Sequence, residues 1–370
     1  MDIQHDVMNY RERMGAALCG LYRGYGYQPY KMCKFEEYDL YARNKDFLCS
    51  DAVLTFTDLG GKLMALKPDV TLSIVRNTRD EGAGVQKVYY TENVYRAVGG
   101  SFHEILQSGL ECIGSIDVYQ ISEVLILAAE SLRRISSRSV LVLSQMDILS
   151  ALLDSLRAAE PCRRELLRCI AAKSVHELTA VCASAGLNPE RTERLVRLLQ
   201  TAGTPAEVFP MLDALGCGDS ALKLLRNVCR NLEAVGLGDM LRIDFSVVSD
   251  MTYYNGIIFK GYVDGVPVSV LSGGQYDRLM RRMGRAAGAI GFAVYLDALE
   301  RLKDLPPEYD TDLVLLYRDG DDLAALCTAV RELTDRGQRV TVAQALPEKL
   351  RYRQAARLKG SEVELIGTHA

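Results

Sequence analysis

Four short clusters carry side chains whose types and spacing could hold a small polar ligand. In Gln107-Ser108-Gly109-Leu110-Glu111, strand geometry puts Gln107, Gly109 and Glu111 on one face. Gly109 then leaves a gap floored by backbone between an amide and a carboxylate, which suits an amine or imidazole. A solvated strand face with a glycine bulge gives the same letters. In Lys67-Pro68-Asp69-Val70-Thr71, Asp69 or Thr71 can cap a following helix, and a carboxylate at such a turn can receive an ammonium. One division of labour is Thr71 capping and Asp69 binding. In Tyr253-Tyr254-Asn255-Gly256, neighbouring tyrosines point to opposite faces, so one at most faces any given pocket and the other packs in the core. In Gly273-Gly274-Gln275-Tyr276-Asp277, paired glycines read as a turn before a helix, letting backbone approach a ligand closely.

Other chemistries are weakly served. There is no GxxxxGK[ST] phosphate loop and no strand-linked GxGxxG. The ten cysteines include no CxxC pair, and the four histidines are scattered at 5, 103, 176 and 369, so no metal site is expected. His103 and Glu104, adjacent on a strand, face opposite ways and make a poor dyad. The cysteines read as reduced, small apolar side chains in a cytoplasmic protein. A net charge of −4 argues against a broad nucleic-acid surface. No run approaches the roughly 18 apolar residues of a membrane span, and the start, MDIQHDVMNYRERMG, has no apolar signal core.

The elements that must position these clusters follow from periodicity. Residues 6–25 read as an amphipathic helix ended by Gly24 and Gly26. LTFTD and KLMAL form a hairpin around Gly60-Gly61, Pro68 stops the second strand, and a helix begins near Thr71. VQKVYYTENVYRAV and FHEILQSGLECIG are strand-like. From about 120 to 235, Leu/Ala-rich segments of helical period dominate. Strands return at LRIDFSVVSD, TYYNGIIFKGYV and VPVSVLS, the last two joined by Asp264-Gly265 as a type I′ turn. AAGAIGFAVYLDALERLKDL reads as a strand feeding a helix, and Leu305-Pro306-Pro307-Glu308 as a linker. Beyond it, strands and helices alternate, with EKLRYRQAARLKG as a helix exposing Lys349, Arg351, Arg353 and Arg357.

In this order the clusters resemble a class II aminoacyl-tRNA synthetase core of the histidyl type. The similar stretches are TFTDLGGKLMALKPDVT, VYRAVGGSFHEILQSGLECIG, TYYNGIIFKGY, GGQYDRL and AIGFAVYL. The resemblance implies an α+β fold: a class II synthetase-like antiparallel sheet flanked by helices over residues 1–305, with a helical insertion at about 145–235. Residues 308–370 would form a small α/β segment resembling a reduced anticodon-binding domain. It further implies a histidine pocket lined by Asp69, Thr71, Gln107, Glu111, Tyr253 and Tyr254, with Arg96, Gly274 and Tyr276 beside them.

The departures concern ATP. Activation of an amino acid builds charge at a phosphate and needs preorganised cations. The synthetase string RGLDYY has become Ser249-Asp250-Met251-Thr252-Tyr253-Tyr254, with serine in place of arginine. GFAMGLERL has become Gly291-Phe292-Ala293-Val294-Tyr295-Leu296-Asp297-Ala298-Leu299, with Ala298 in place of the ATP-holding arginine. Arg96 survives from an FRxE string, but its acid is now Val98, and the following loop AVGGS is short and lacks basic residues. Arg301, nearly a turn further on, is a candidate substitute. Each lost cation costs about 10²–10³ in rate.

A retained pocket without ATP machinery resembles the regulatory subunit family of ATP phosphoribosyltransferase. Such a chain is no enzyme and needs no cofactor. It would pair with a short-form catalytic subunit, self-associate as a dimer, bind histidine for feedback control of histidine biosynthesis, and bind neither tRNA nor membrane. The competing reading is a compact histidyl-tRNA synthetase with relocated cations.

Overall fold

The computed structural model describes residues 10–44, 48, 53–79, 84–216, 219–249, 251, 253–302, 309–360 and 362–368. The expected linker at 305–308 and the first residues of the N-terminal helix lie outside them, as do His5, His369 and the side chain of Arg301. The chain forms two compact units, one of Arg11–Leu302 and one of Met1–Tyr10 with Lys303–Ala370.

The larger unit is built on one nine-stranded sheet. Its strand order is Gln28–Pro29, Val85–Val98, Ser101–Gly114, Gly288–Tyr295, Leu271–Gln275, Asn255–Val263, Ser139–Gln145, Leu241–Asp244, Ala202–Gly203. Two neighbouring pairs are parallel, the first with the second strand and Ser139–Gln145 with Leu241–Asp244. The others are antiparallel. The backbone of the site is the long hairpin of Val85–Val98 and Ser101–Gly114, paired from Val85↔Gly114 to Val98↔Ser101. Gly99 and Gly100 close it at φ +59° and +84°. Two successive positive φ values define a type I′ turn, which glycine adopts without strain. The AVGGS loop is therefore the shortest connection a hairpin allows.

The helix Val118–Ile135 packs an apolar stripe containing Ile121, Val124, Leu125, Ala128 and Leu132, all buried. It starts at a capping box: Asp117 accepts from the Tyr119 and Gln120 amides, and the Gln120 side chain accepts from the Asp117 amide. Such a cap stabilises a helix by about 1 kcal/mol. The next segment, Ser139–Gln145, falls between the expected helical segments and is an interior strand of the sheet. A short apolar run flanked by helices looks alike in either state, and only its sheet neighbours decide it. The helices Met146–Leu156, Glu160–Ala171, Val175–Ser184, Pro189–Gln200, Pro205–Leu215 and Asp219–Ala234 follow.

Two turns also differ from expectation. Gly265 has φ +83° while Asp264 does not enter the positive-φ region, and Val266 N donates to Val263 O at 3.1 Å. That is type II geometry rather than I′, and the next strand starts only at Leu271. That strand then runs through Gly273 and Gly274, which are strand interior rather than a turn. A Cβ on Gly273 would lie 2.4 Å from the Gly291 carbonyl, and one on Gly274 2.7 Å from Ile258. Close sheet packing is the reason for both glycines.

A separate three-stranded sheet, Phe35–Glu37, Leu63–Leu66 and Thr55–Thr57, contains the expected hairpin around Gly60-Gly61. The helix Thr71–Asn77 follows Pro68. In the smaller unit, a four-stranded sheet in the order Val340–Ala343, Thr311–Leu316, Tyr352–Lys359, Glu362–Thr368 is covered by helix Leu323–Asp335. Its core holds Leu313, Leu315, Leu326, Ala329, Ala356 and Leu358. Tyr352–Lys359 is thus a strand, not the expected helix. Ala, Arg, Leu and Gln favour helix locally, but burying Ala355, Ala356 and Leu358 between two strands outweighs that weak preference. Arg351 pairs with Asp310 at 2.7 Å.

Candidate functional site

A small cleft, with a cavity volume of about 80 Å³, opens on one face of the large sheet. Asp69, Thr71, Arg96, Gln107, Glu111, Tyr254, Gly274 and Tyr276 all line it. Tyr253 does not. It is fully buried in the core, with the Arg282 guanidinium 5.0 Å from its ring centroid. The strand starts only at Asn255, so both tyrosines sit just before it, Tyr254 at the cleft and Tyr253 in the core.

Glu111 is the centre of the site. It is 2% exposed. The Tyr276 hydroxyl donates to its Oε2 at 2.6 Å and the Thr71 hydroxyl to its Oε1 at 2.8 Å. Burial raises its pKa to about 8; the two hydroxyls pull the other way, and the Asp69 charge adds a smaller upward push. Among the described residues no lysine or arginine forms an ion pair with it. The space it occupies exists because its register partner is Gly291. A Cβ there would lie 1.8 Å from Glu111 Oε2. With Gly274 paired to Gly291, the floor beside the carboxylate is backbone.

The roles of Asp69 and Thr71 reverse the division expected. Asp69 Oδ1 accepts the Leu72 amide at 2.9 Å, so Asp69 holds the helix start, and Thr71 turns its hydroxyl to Glu111. The Asp69 carboxyl is raised by burial, opposed by the Arg96 charge and by the Leu72 and Thr71 amides. Arg96 Nε donates to the Pro68 carbonyl at 2.8 Å, and its guanidinium stands 3.7 Å from Asp69. The same turn is clamped at Lys67, whose carbonyl accepts from Tyr95 N at 2.9 Å. The Lys67 ammonium, fully buried, meets Glu92 at 3.0 Å.

Gln107 and Glu111 share the cleft face, as strand alternation requires, but the gap between them is not empty. Tyr90 stands opposite Gly109, and a Cβ on Gly109 would fall 2.6 Å from the Tyr90 hydroxyl. Gly109 makes room for the Phe292 carbonyl, 2.3 Å from such a Cβ, and for this tyrosine of the neighbouring strand. Gln107 Nε2 is buried without a hydrogen-bond partner, a costly state that a ligand acceptor would relieve. Asp277 is taken up by Asn255 and the Ala289 amide, each at 2.8 Å. Sequence reasoning missed Tyr90, Ser272, Gly291 and Tyr295 as lining residues. Gly291 left a trace as a glycine in an otherwise apolar strand, whereas Tyr90 needed the register.

A glycine-floored cleft on a mostly antiparallel sheet, with hydroxyls and carboxylates converging on it, defines a class II synthetase-type ligand site. Residues 1–299 match the histidyl-tRNA synthetase family model, and the chain belongs to that family. Among curated relatives, the ATP phosphoribosyltransferase regulatory subunit of Alkaliphilus metalliredigens is 28% identical over 286 residues, covering 75% of this chain and 72% of the relative. A solved Bacillus halodurans structure, described as an ATP phosphoribosyltransferase regulatory subunit/histidyl-tRNA synthetase, matches with TM-score 0.77 and 25% identity, over 90% of this chain and 88% of that one. A chain of the ATP phosphoribosyltransferase complex of Thermotoga maritima shares the fold, with TM-score 0.62 and 17% identity over 78% of this chain and 97% of that one. Among the described residues no helix is long and apolar enough to cross a membrane, and no group of three or more His, Cys, Asp or Glu could hold a metal ion.

Proposed function

We propose that this chain is a non-catalytic regulatory subunit of an ATP phosphoribosyltransferase, and that its cleft binds histidine as the feedback signal. The observation that carries the ligand is Glu111: a buried carboxylate, hydrogen-bonded on both oxygens, with which no lysine or arginine among the described residues forms an ion pair. A ligand bringing an ammonium or imidazolium supplies the missing charge, and such a charge-assisted contact is worth about 1.5–3 kcal/mol. The unpartnered Gln107 amide offers a donor to the ligand's carboxylate. Asp69, already sharing Arg96 and a backbone amide, adds a second acceptor at the cleft wall.

The case against catalysis rests on the cations. Ser249 and Ala298 replace two arginines of the synthetase strings, and the loop after Arg96 is a two-residue turn with no basic side chain. The names of the relatives support pairing with a catalytic subunit. Self-association as a dimer, absence of tRNA binding and a cytoplasmic location belong to the same reading.

The test is reconstitution. Mixed with a short-form ATP phosphoribosyltransferase, the chain raises its activity and makes it histidine-sensitive, while calorimetry detects histidine binding to the chain alone. Robust charging of tRNA with histidine by the purified chain would replace this reading with that of a compact synthetase.

A further inference from the structure

We infer that Tyr295 sets the length of the cleft, admitting a free amino acid and excluding one that continues through its carboxyl into a nucleotide. This rests on the histidine reading of the site and deepens it.

Tyr295 ends the strand Gly288–Tyr295 and stands in register with Gln107. Its backbone amide is fixed by the Val270 carbonyl at 2.8 Å. Its hydroxyl lies 3.1 Å from the Ser272 hydroxyl on the neighbouring strand. Both residues line the cleft, so the phenol ring spans from its own strand to the next across the face where a ligand must lie. In the synthetase string GFAMGLERL this position is a glycine, and the ATP-holding arginine follows three places on, where this chain has Ala298. A side chain now stands on ground that is bare backbone in that string.

The surviving arginine fits the same picture. Arg96 donates to the Pro68 carbonyl and sits beside Asp69, inside the wall of the amino-acid pocket. Loss of cations weakens attraction for phosphate, whereas a tyrosine ring excludes the nucleotide by volume. Restored charges would leave that obstruction in place. The two hydroxyl donors and the glycine floor of Glu111 come from Thr71, Tyr276 and Gly291, not from Tyr295, so removing the ring lengthens the cleft and leaves those contacts in place.

The experiment compares two probes, L-histidine and the non-hydrolysable histidyl-sulfamoyl adenosine, by calorimetry on the full-length chain. The readout is the ratio of their affinities, which cancels a general loss of folded protein. The wild type is expected to prefer histidine by about tenfold or more, and Tyr295→Gly to move the ratio about tenfold or more toward the adenosine conjugate. Tyr295→Phe keeps the bulk and loses the Ser272 contact, so its ratio stays with the wild type. Tyr295→Ser serves if a thermal melt finds the glycine variant unfolded. A wild type that takes the conjugate as well as histidine overturns the inference, as does an unchanged ratio in the glycine and serine variants. A phenylalanine variant that opens as far as the glycine one overturns it too. A wild type that binds neither probe overturns the histidine reading, and the inference with it.

Discussion

Glu111 lies within the large sheet and Ala298 in the 3-10 helix Leu296–Leu302 that follows its strand Gly288–Tyr295, and their surroundings have opposite character. Around Glu111 the carboxylates are held: Thr71 and Tyr276 donate to Glu111, Gly291 and Gly274 clear the floor, and the Lys67–Asp69 turn is held by Tyr95, Arg96 and Glu92, which leaves the Gln107 amide open to a ligand. Around Ala298 the polar groups serve the fold. Asp297 accepts from the Leu106 amide at 2.8 Å and pairs with Arg11, and Tyr295 leans on Ser272. On the proposed function one end receives a cation, and the other offers no arginine at either position where the synthetase strings carry one. On that reading binding and chemistry are separable in a single cleft. Recognition needs fixed acceptors and space, while adenylation also needs charge aimed at a phosphate.

The contrast is most exposed to an assay of chemistry. With two cations gone, each worth about 10²–10³ in rate, histidine-dependent ATP–pyrophosphate exchange should fall below detection. Turnover at a synthetase-like rate would erase the difference between the two ends. Next in size is the scaffold of the intact end. Lys67→Met strands Glu92, and denaturant unfolding should report a loss of about 3 kcal/mol, the lower part of the range for a broken buried pair because Glu92 keeps some solvent. A loss near zero would mean that the turn does not depend on that pair. Glu111→Gln should weaken histidine binding by about ten- to a hundredfold, equivalent to about 1.5–3 kcal/mol, with a normal thermal melt. Unchanged affinity in calorimetry would remove Glu111 from the ligand site.

The smallest effect is a proton. The Glu111 carboxyl rises from its ordinary 4.5 to about 8 in the fold. Between those values the unfolded chain has ionised and the folded chain has not, so the folded state binds more protons. Its contribution to stability is complete below pH 4.5 and is lost as pH rises toward 8. A bound cation lowers that pKa, so histidine binding near pH 7 should release a proton from Glu111, up to about one. Calorimetry in buffers of different ionisation enthalpy measures this, and Glu111→Gln should abolish it. Equal proton release in wild type and variant would contradict a protonated Glu111 in the empty cleft.

The strand character of Gln107–Glu111, the hairpin at Gly60-Gly61 and the helix after Pro68 could be read from the chain, because alternation, glycine pairs and proline act within a few residues. The order of the clusters also carried the fold class and the missing cations at 249 and 298, since residue identity is enough to see a lost charge. Other features depended on partners far along the chain. Ser139–Gln145 and Tyr352–Lys359 became strands because sheet neighbours buried them, against an ambiguous or helical local pattern. Gly109 serves Tyr90 rather than a void, and Gly291 serves Glu111, because register set them side by side. Asp69 took the helix start and freed Thr71 for Glu111, a choice between two good caps that only the position of the neighbouring strand could settle. Local propensity is a matter of tenths of a kcal/mol per residue, whereas burial and pairing across a sheet are worth more, so the contacts that shape this cleft emerge only when distant segments meet.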